Sequence, residues 1–387
     1  MNAKLNVLFL CGWYPSRVLP TNGDFIQRHA EAVLLKHNVN VLHIISDKKN
    51  TENIEITFKV INGIETHIAY LKATKNPFKK AFLFLKAFKL LIKKVGVFDI
   101  VHLNELFPFG IFSLYLKLIK KTPFIITEHW TDYKFPLSNK ISFIQKIISK
   151  VIAKNASFIC PVTKDLENSM IQFGLKGKYK AIENVVDTTS FIPIETKNEV
   201  FSIVHISNMN DTHKNISGLL KVIAILQNKI DNFHFKMIGE DSDKYKPLSK
   251  KLGIKPETIE FINQIPHSLV IKHLQEANLF VLFSNFENLP CVILESFACG
   301  TPVISTDVGG IKEHFPDNYG TLIPAKDEQK LEEEIINLYK KEHNFSLKKE
   351  MHNYIKSNFS DVFLVILKNN VEFGHRRELI NDLLSYK

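Results

Sequence analysis

The chain has 387 residues, 45% of them hydrophobic and 23% charged, with Lys+Arg 50 against Asp+Glu 40 for a formal net charge of +10. This length predicts roughly two to three domains and excludes a single small module, while the composition excludes disordered and collagen-like chains. The positive excess predicts anionic partners, whether phosphates, nucleotides, nucleic acid or an acidic membrane surface.

The N-terminal apolar run from Leu5 to Cys11 is too short to span a membrane and lacks a small-residue cleavage site, so it reads as a first buried strand. Further strands are predicted at 39–46, 99–103, 123–127, 157–162 and 180–182, with helical periods between them. The alternation restarts at 201–206 and continues at 234–238, 259–261, 279–283 and 303–305. Strands apolar on both faces and separated by helices imply parallel sheets covered on each side. The fold class is therefore α/β, with two doubly wound Rossmann-like domains facing each other across a cleft. The polar stretch 187–200 marks the junction, giving an N-terminal domain over 1–190 and a C-terminal domain over 191–364. Ligands of open α/β sheets bind beyond the C-terminal strand ends, so the residues there are where chemistry is sought.

Cys11, Cys160, Cys291 and Cys299 stand apart with no CxxC pair, which argues against a zinc site or a disulfide framework and for a reducing, cytoplasmic setting. No apolar stretch approaches the roughly 18 residues of a spanning helix. The sharpest signal follows strand 279–283. There Pro290 suits a helix start, and Gly300 with Pro302 a stop, so a helix is predicted from about 290 to 299. Glu287 then lies in the loop at the strand end and Glu295 only roughly 7 to 8 Å along the helix axis from Pro290, with the amide-rich helix start between them. A diphosphate at that helix start, with a carboxylate on each side to accept hydroxyl hydrogen bonds, matches a nucleotide sugar.

The string S-x-x-E-N-x-P-x-x-x-L-E-x-x-A-x-G-x-P-V from Ser284 to Val303, followed by Asp307-Val308-Gly309-Gly310, resembles the donor-site signature of family 4 (group 1) retaining glycosyltransferases of the GT-B fold. The resemblance implies that Glu287 contacts hydroxyls of the transferred sugar and Glu295 those of the ribose, with Asn288, Leu289, Pro290, Cys291 and Val292 lining the donor. Asn288 replaces the usual Gly. After strand 201–206 such enzymes carry an Arg and, six residues on, a Lys that pair with the diphosphate; Lys214 matches the second, whereas Asn208 stands in for the first and brings no charge. His213 beside Lys214 is either a substitute cation or a solvated loop residue.

In the first half, Gly23 corresponds to the family's glycine loop before the first helix, where backbone amides approach phosphate or acceptor. His129, after strand 123–127, corresponds to a His that reaches the donor sugar, and Trp130 or Tyr133 could stack on a sugar face. His102 and Glu105, after the preceding strand, are acceptor-side candidates. Glu183 to Asp187 resembles the family's junction string. Asp241-Ser242-Asp243 is a DxD string of the kind that binds a cation in another glycosyltransferase fold; it follows Met237-Ile238-Gly239-Glu240, where the family resembled has a G-[DE] loop, so it reads as solvated carboxylates, and no cofactor or metal is expected. In similar enzymes a last helix, here about 365–387, packs back on the first domain.

Eight lysines and no acid lie from Lys72 to Lys94, arranged as an amphipathic basic helix. It either covers the sheet with its apolar face buried or docks on anionic lipid near a lipid-linked acceptor. The reading is a retaining, metal-independent glycosyltransferase that moves a hexosyl-type sugar from a nucleotide diphosphate sugar to a glycan or lipid-linked hydroxyl. The alternatives are a nucleotide-sugar epimerase or glycan phosphorylase on the same frame, and a basic nucleic-acid-binding protein, for which no recognition signature is present.

Overall fold

A computed structural model describes residues 4–195, 200–340 and 345–360. The expected C-terminal helix at 365–387 and the middle of the junction, 196–199, lie outside the described residues. The chain divides into two compact units between Val185 and Val186, a few residues before the expected 190/191 border.

Unit 1 contains β1 (Asn6–Cys11), α1 (Asp24–Leu34), β2 (Asn38–Asp47), β3 (Ile54–Ile61), β4 (Ile64–Lys72), α2 (Pro77–Ile92), β5 (Ile100–Asn104), α3 (Gly110–Lys120), β6 (Phe124–Glu128), α4 (Phe143–Asn155), β7 (Phe158–Pro161) and α5 (Lys164–Phe173). Its sheet runs β3-β4-β2-β1-β5-β6-β7, parallel except that β3 pairs antiparallel with β4. The β3–β4 hairpin corrects the expectation of an all-parallel sheet. It turns on Asn62-Gly63 with φ +49° and +81°, the two left-handed residues that a tight hairpin turn demands. The strand expected at 180–182 is also corrected: it is an extended segment whose Lys180 and Ile182 amides donate to Ile159 and Pro161 of β7 without forming a strand of its own.

Alternation along β1 sends its side chains to two helical layers. Val7, Phe9 and Cys11 pack with Ile26, Ala30 and Val33 of α1. On the other face, a Cβ on Gly110 at the start of α3 would meet Leu103 of β5 and Ile152 of α4, so α3 and α4 lie together on that side. Phe88 of α2 stacks on Phe112 of α3 with centroids 4.2 Å apart, which adds α2 to the same layer.

Unit 2 contains β8 (Phe201–Ile206), α6 (Asp211–Lys214), α7 (Ile216–Leu226), β9 (Phe233–Ile238), α8 (Lys246–Lys251), β10 (Ile259–Ile262), α9 (His267–Glu276), β11 (Leu279–Leu282), α10 (Cys291–Ala298), β12 (Val303–Thr306), β13 (Gly320–Ile323), α11 (Glu328–Tyr339) and α12 (Phe345–Phe359). Its sheet is β10-β9-β8-β11-β12-β13 and wholly parallel. The core on one side is aliphatic and aromatic, with Leu219, Leu220 and Ile223 of α7 against Ile203, Phe235 and Val281. Strand β13, four residues after an irregular stretch, was not anticipated.

Gly239, after β9, is held against the loop that follows β8: a Cβ there would lie 1.8 Å from the Ser207 carbonyl oxygen. Gly239→Ala is therefore expected to cost about 2–3 kcal/mol and to lower the thermal midpoint of unit 2 by roughly 5–10 °C, as calorimetry on the purified variant would measure.

Candidate functional site

In each sheet the strand order reverses beside the first strand of its unit, and loops on either side of such a reversal diverge to leave a crevice at the C-terminal strand ends. In unit 2 the reversal lies between β8 and β11. The loop after β8 carries Asn208 and Lys214, and the loop after β11 carries Ser284 to Pro290, so the sequence-predicted donor residues converge there. Lys214 Nζ forms an ion pair with Glu287 Oε1, and Ser284 Oγ donates to the same oxygen at 2.7 Å. Both partners are largely withdrawn from water, at 15% and 8% side-chain exposure.

The two loops are also tied through their backbones. Asn285 N–H donates to the His213 carbonyl at 2.7 Å, and the Asn285 amide donates to Thr212 O at 3.0 Å. The ring of His213 lies 5.8 Å from that of Phe286, so this histidine packs on the loop. Asn208 is exposed, and its Oδ1 accepts from the Asn210 amide at 3.2 Å.

The helix after the loop is α10, with Pro290 as its N-cap and no side-chain cap. Its positive end therefore faces the loop that carries Glu287. Asn288 and Leu289 are buried, while Pro290, Cys291 and Val292 are partly exposed. The Gly310 amide donates to Asn288 O at 3.2 Å, linking the Gly309-Gly310 turn to this loop. Glu295 is 3% exposed, yet its Oε1 lies 2.9 Å from His267 Nε2 at the start of α9. His267 was not foreseen, since a histidine after a proline carries no local signature; Ser284 stood in the motif, but its contact was not legible. Asp243 of the DxD string is bound to Lys246 and to Asn263 Nδ2 at 2.9 Å. Among the described residues no group of three or more His, Cys, Asp or Glu could hold a metal.

In unit 1 the reversal lies between β1 and β5. There Gly12 N–H donates to Asn104 O at 3.0 Å, and a Cβ on Gly12 would sit 2.2 Å from Glu105 Oε2. Glu105 adopts φ +72°, rare for a residue with a side chain, and burial together with nearby Glu128 raises its pKa well above the ordinary carboxylate value. Glu128 is pushed up by burial, although its oxygens accept from the amides of Leu106 at 2.9 Å, His129 at 2.9 Å and Trp130 at 3.0 Å.

Glu128 thus fixes the start of the loop that presents His129. The His129 ring lies 4.5 Å from that of Phe25 and 5.4 Å from that of His29, and burial, with His102 nearby, lowers its pKa to about 3. At neutral pH it is an uncharged hydrogen-bonding ring. His102 points into the core, 2.6 Å from Thr127 Oγ1 and beneath Phe9. Tyr133 is buried, edge-on to Trp130 and Phe173, whereas Trp130 is partly exposed. Gly23 caps α1 with φ +74° where a Cβ would lie 2.6 Å from the Trp13 carbonyl carbon, so close approach of two backbones requires the glycine.

Two Rossmann-like sheets, one with a lysine–carboxylate pair and a helix start beyond its strand ends, define an α/β protein suited to a phosphate-bearing ligand. The family models "Glycosyltransferase Family 4" and "Glycosyl transferases group 1" match residues 28–190 and 187–358. The chain is 29% identical over 185 residues to a subunit of the phosphatidylinositol N-acetylglucosaminyltransferase of Arabidopsis thaliana, a match covering 46% of this chain and 41% of that protein. It is 26% identical over 313 residues to the N-acetylgalactosamine-N,N'-diacetylbacillosaminyl-diphospho-undecaprenol 4-alpha-N-acetylgalactosaminyltransferase of Campylobacter jejuni, covering 75% of this chain and 82% of that one. The structure of Anabaena HepE in complex with UDP and glucose superposes with a TM-score of 0.69 at 15% identity, over 92% of this chain and 96% of that one. The chain belongs to the group 1 glycosyltransferases of family 4, with the GT-B fold.

Proposed function

We propose that this glycosyltransferase moves a hexosyl-type sugar, with retention and without a metal, from a nucleotide diphosphate sugar to a hydroxyl of a glycan or lipid-linked acceptor in polysaccharide or glycoconjugate synthesis. The observation that carries the reading is the Lys214–Glu287–Ser284 cluster at the order reversal of unit 2, beside the start of α10. The relatives named above act on lipid-linked acceptors by their names, and HepE binds UDP and glucose. Buried free thiols at Cys11, Cys160 and Cys299 suit a cytoplasmic setting.

Lys214 and the helix start would hold the diphosphate, with Asn208 adding an uncharged contact in place of a second cation. Glu287 would accept from hydroxyls of the sugar and Glu295 from those of the ribose, while Leu289, Cys291 and Val292 line the donor. The bond from the anomeric carbon to phosphate oxygen breaks, the diphosphate keeps the electron pair, and the acceptor oxygen attacks the same face of the oxocarbenium-like sugar. The acceptor proton passes to the departing phosphate oxygen. Electrostatic stabilisation of that leaving group is the main requirement. In unit 1, neutral His129 would hydrogen-bond a sugar hydroxyl, the partly exposed Trp130 would stack on a sugar face, and Glu105 belongs to the acceptor side, with Gly23 shaping the adjoining loop; burial of His102 in the core and of Tyr133 between Trp130 and Phe173 corrects the expectation that either touches sugar.

A panel of nucleotide sugars screened by thermal shift, followed by transfer assays, tests the proposal, because a ligand bound only by the native state raises its stability. Stabilisation by none of them, or turnover of a nucleotide sugar to its epimer without acceptor, would overturn it.

His267 sets a finer expectation. If its contact with Glu295 orients that carboxylate toward the ribose, His267→Ala should raise the KM for donor about tenfold, equivalent to about 1.4 kcal/mol, with little change in kcat. His267→Gln should recover part of the loss. An unchanged donor KM in steady-state titrations would contradict this.

A further inference from the structure

The outer edge of β3 is a self-complementary strand, and we propose that it pairs with the same edge of a second copy of this chain, joining the two unit 1 sheets about a two-fold axis. This goes beyond the transfer reaction and stands without it.

β3 ends the sheet of unit 1, and among the described residues no strand lies on its far side. Such an edge is commonly blunted by a proline, a bulge or a very short strand. β3 has none of these: it runs for 8 residues, Ile54–Ile61, in unbroken register with β4. One hydrogen bond fixes the direction of its free backbone groups. Lys72, counted in the basic helix from sequence, lies in β4, and its amide donates to Asn53 O at 3.2 Å. Asn53 and every second residue after it therefore bond toward β4, while Ile54, Ile56, Phe58 and Val60 turn their N–H and C=O groups outward.

The side chains alternate in step. Ile64 shares a core with Ile26, Ala30 and Val33 of α1 and pairs with Ile61, so Glu55, Thr57 and Lys59 lie on the α1 side of the sheet. Ile54, Ile56, Phe58 and Val60 lie on the α2 side. There α2 fills its inner positions with Leu83, Ala87, Phe88 and Leu91; the sequence-based arc that grouped Phe78 and Leu85 with the buried face is corrected, since both are exposed. This cover stops short of the edge, leaving Phe58 55% and Val60 62% exposed.

Register and charge then agree. A two-fold axis at Thr57 brings outward groups to outward groups and sets Ile56 against Phe58, and Ile54 against Val60, of the second copy, each pair exchanging backbone hydrogen bonds. The same axis sets Glu55 against Lys59 on both sides of it. Lys59 is exposed and, among the described residues, forms no ion pair. Glu55 belongs to a cluster that is one positive charge short: Arg17 Nη1 lies 2.6 Å from Glu55 and Arg17 Nε 2.9 Å from Asp47, one guanidinium for two carboxylates. Lys59 of the second copy supplies the missing charge. Axes at Ile56 or Phe58 would also match outward groups, but they set Glu55 against Thr57 or Ile61.

Other occupants fit less well. The run 362–367, outside the described residues, is apolar at every position and would leave the polar face of β3 unanswered. A foreign extended peptide would have to bring the Glu–Lys spacing that β3 already carries. Two short strands bury less than the roughly 1,600 Å² of a standard interface, so the dimer is expected to dissociate on dilution.

Light scattering of the full-length protein over a dilution series, together with cysteine cross-linking, tests the proposal. A concentration-dependent dimer is expected. Lys59→Glu should raise its dissociation constant at least tenfold and Phe58→Pro should abolish it, both with an unchanged thermal midpoint, because Lys59 is exposed and the Phe58 amide faces away from β4. Thr57 would meet itself in a non-hydrogen-bonded pair with Cα atoms about 4.5 Å apart, within the span of a disulfide. Thr57→Cys should therefore give an intermolecular disulfide under mild oxidation, and Ile56→Cys should not. A monomer at every concentration up to about 0.1 mM overturns the proposal and leaves the edge to residues of the same chain or to a foreign peptide. So does a dimer that Lys59→Glu leaves intact, or cross-linking through Ile56→Cys instead of Thr57→Cys. If Phe58→Pro lowers the midpoint, Lys59→Glu and the two cysteine variants decide.

Discussion

Lys214→Ala is expected to reduce sugar transfer by about 10²–10³-fold, the usual effect of removing one stabilising group from a developing anion, and also to destabilise unit 2 by about 3 kcal/mol. The second effect follows from burial. Lys214 and Glu287 are paired with little access to water, and removing the lysine strands a carboxylate that was desolvated on the assumption of a partner. Glu287→Ala should be comparably inactive and strand the ammonium instead, although Lys214, at 15% exposure, can move toward solvent more easily than Glu287 at 8%. The double variant separates the two roles: Lys214→Ala/Glu287→Ala should regain much of the stability lost in either single variant, since no unpaired charge remains, and should stay inactive. Urea unfolding and a transfer assay on the four proteins complete the cycle. Full transfer in either single variant would remove Lys214 and Glu287 from the site, whatever the stabilities show.

That pair illustrates what could be read from the chain alone. Glu287 and Lys214 lie 73 residues apart, yet each sits in the loop after a strand, and adjacency of β8 and β11 at the order reversal brings them together. Strand ends were legible because the strands are short, apolar on both faces and separated by helices. The pairing itself depends on sheet order, which no local pattern encodes. His267 was missed for the same reason, since only the packing of α9 beside α10 brings it to Glu295. The β3–β4 hairpin differs: Asn62-Gly63 between alternating residues is a local signal of a tight turn, and it breaks the β/α alternation that marks the rest of the unit. On α2, a helical wheel groups residues by angle alone, whereas the inner face is fixed by where Phe112 of α3 stands.

On acidification unit 1 should unfold first, with a transition below about pH 5, reported by both tryptophans of the chain, Trp13 and Trp130. Four of its histidines are held neutral by burial: His29 well below the ordinary value, His43 at about 4, and His102 and His129 at about 3. A folded-state pKa below the unfolded 6.5 means that the unfolded chain binds more protons, so this stabilisation is complete above about pH 6.5 and is lost as the pH falls. Each such histidine contributes a slope of about 1.4 kcal/mol per pH unit. Glu105 and Glu128 act in the opposite sense: their raised values keep protons in the folded state, so their contribution grows as pH falls and levels off near the unfolded carboxylate value. Four histidines against two carboxyls leave about two protons, or about 3 kcal/mol per pH unit, which exhausts the stability of an ordinary domain within a few units. In unit 2 the one such histidine with a value near 4 is His205, so its slope is shallower. Tryptophan emission should therefore shift to the red at a higher pH than the loss of hydrogen-exchange protection in β8, β9 and β11. His102→Gln should move the emission midpoint to lower pH if the glutamine keeps the bond to Thr127, because one proton-binding group of the unfolded state is gone. Coincident transitions of the two units, or emission constant down to about pH 3, would show that burial of these rings does not govern acid stability.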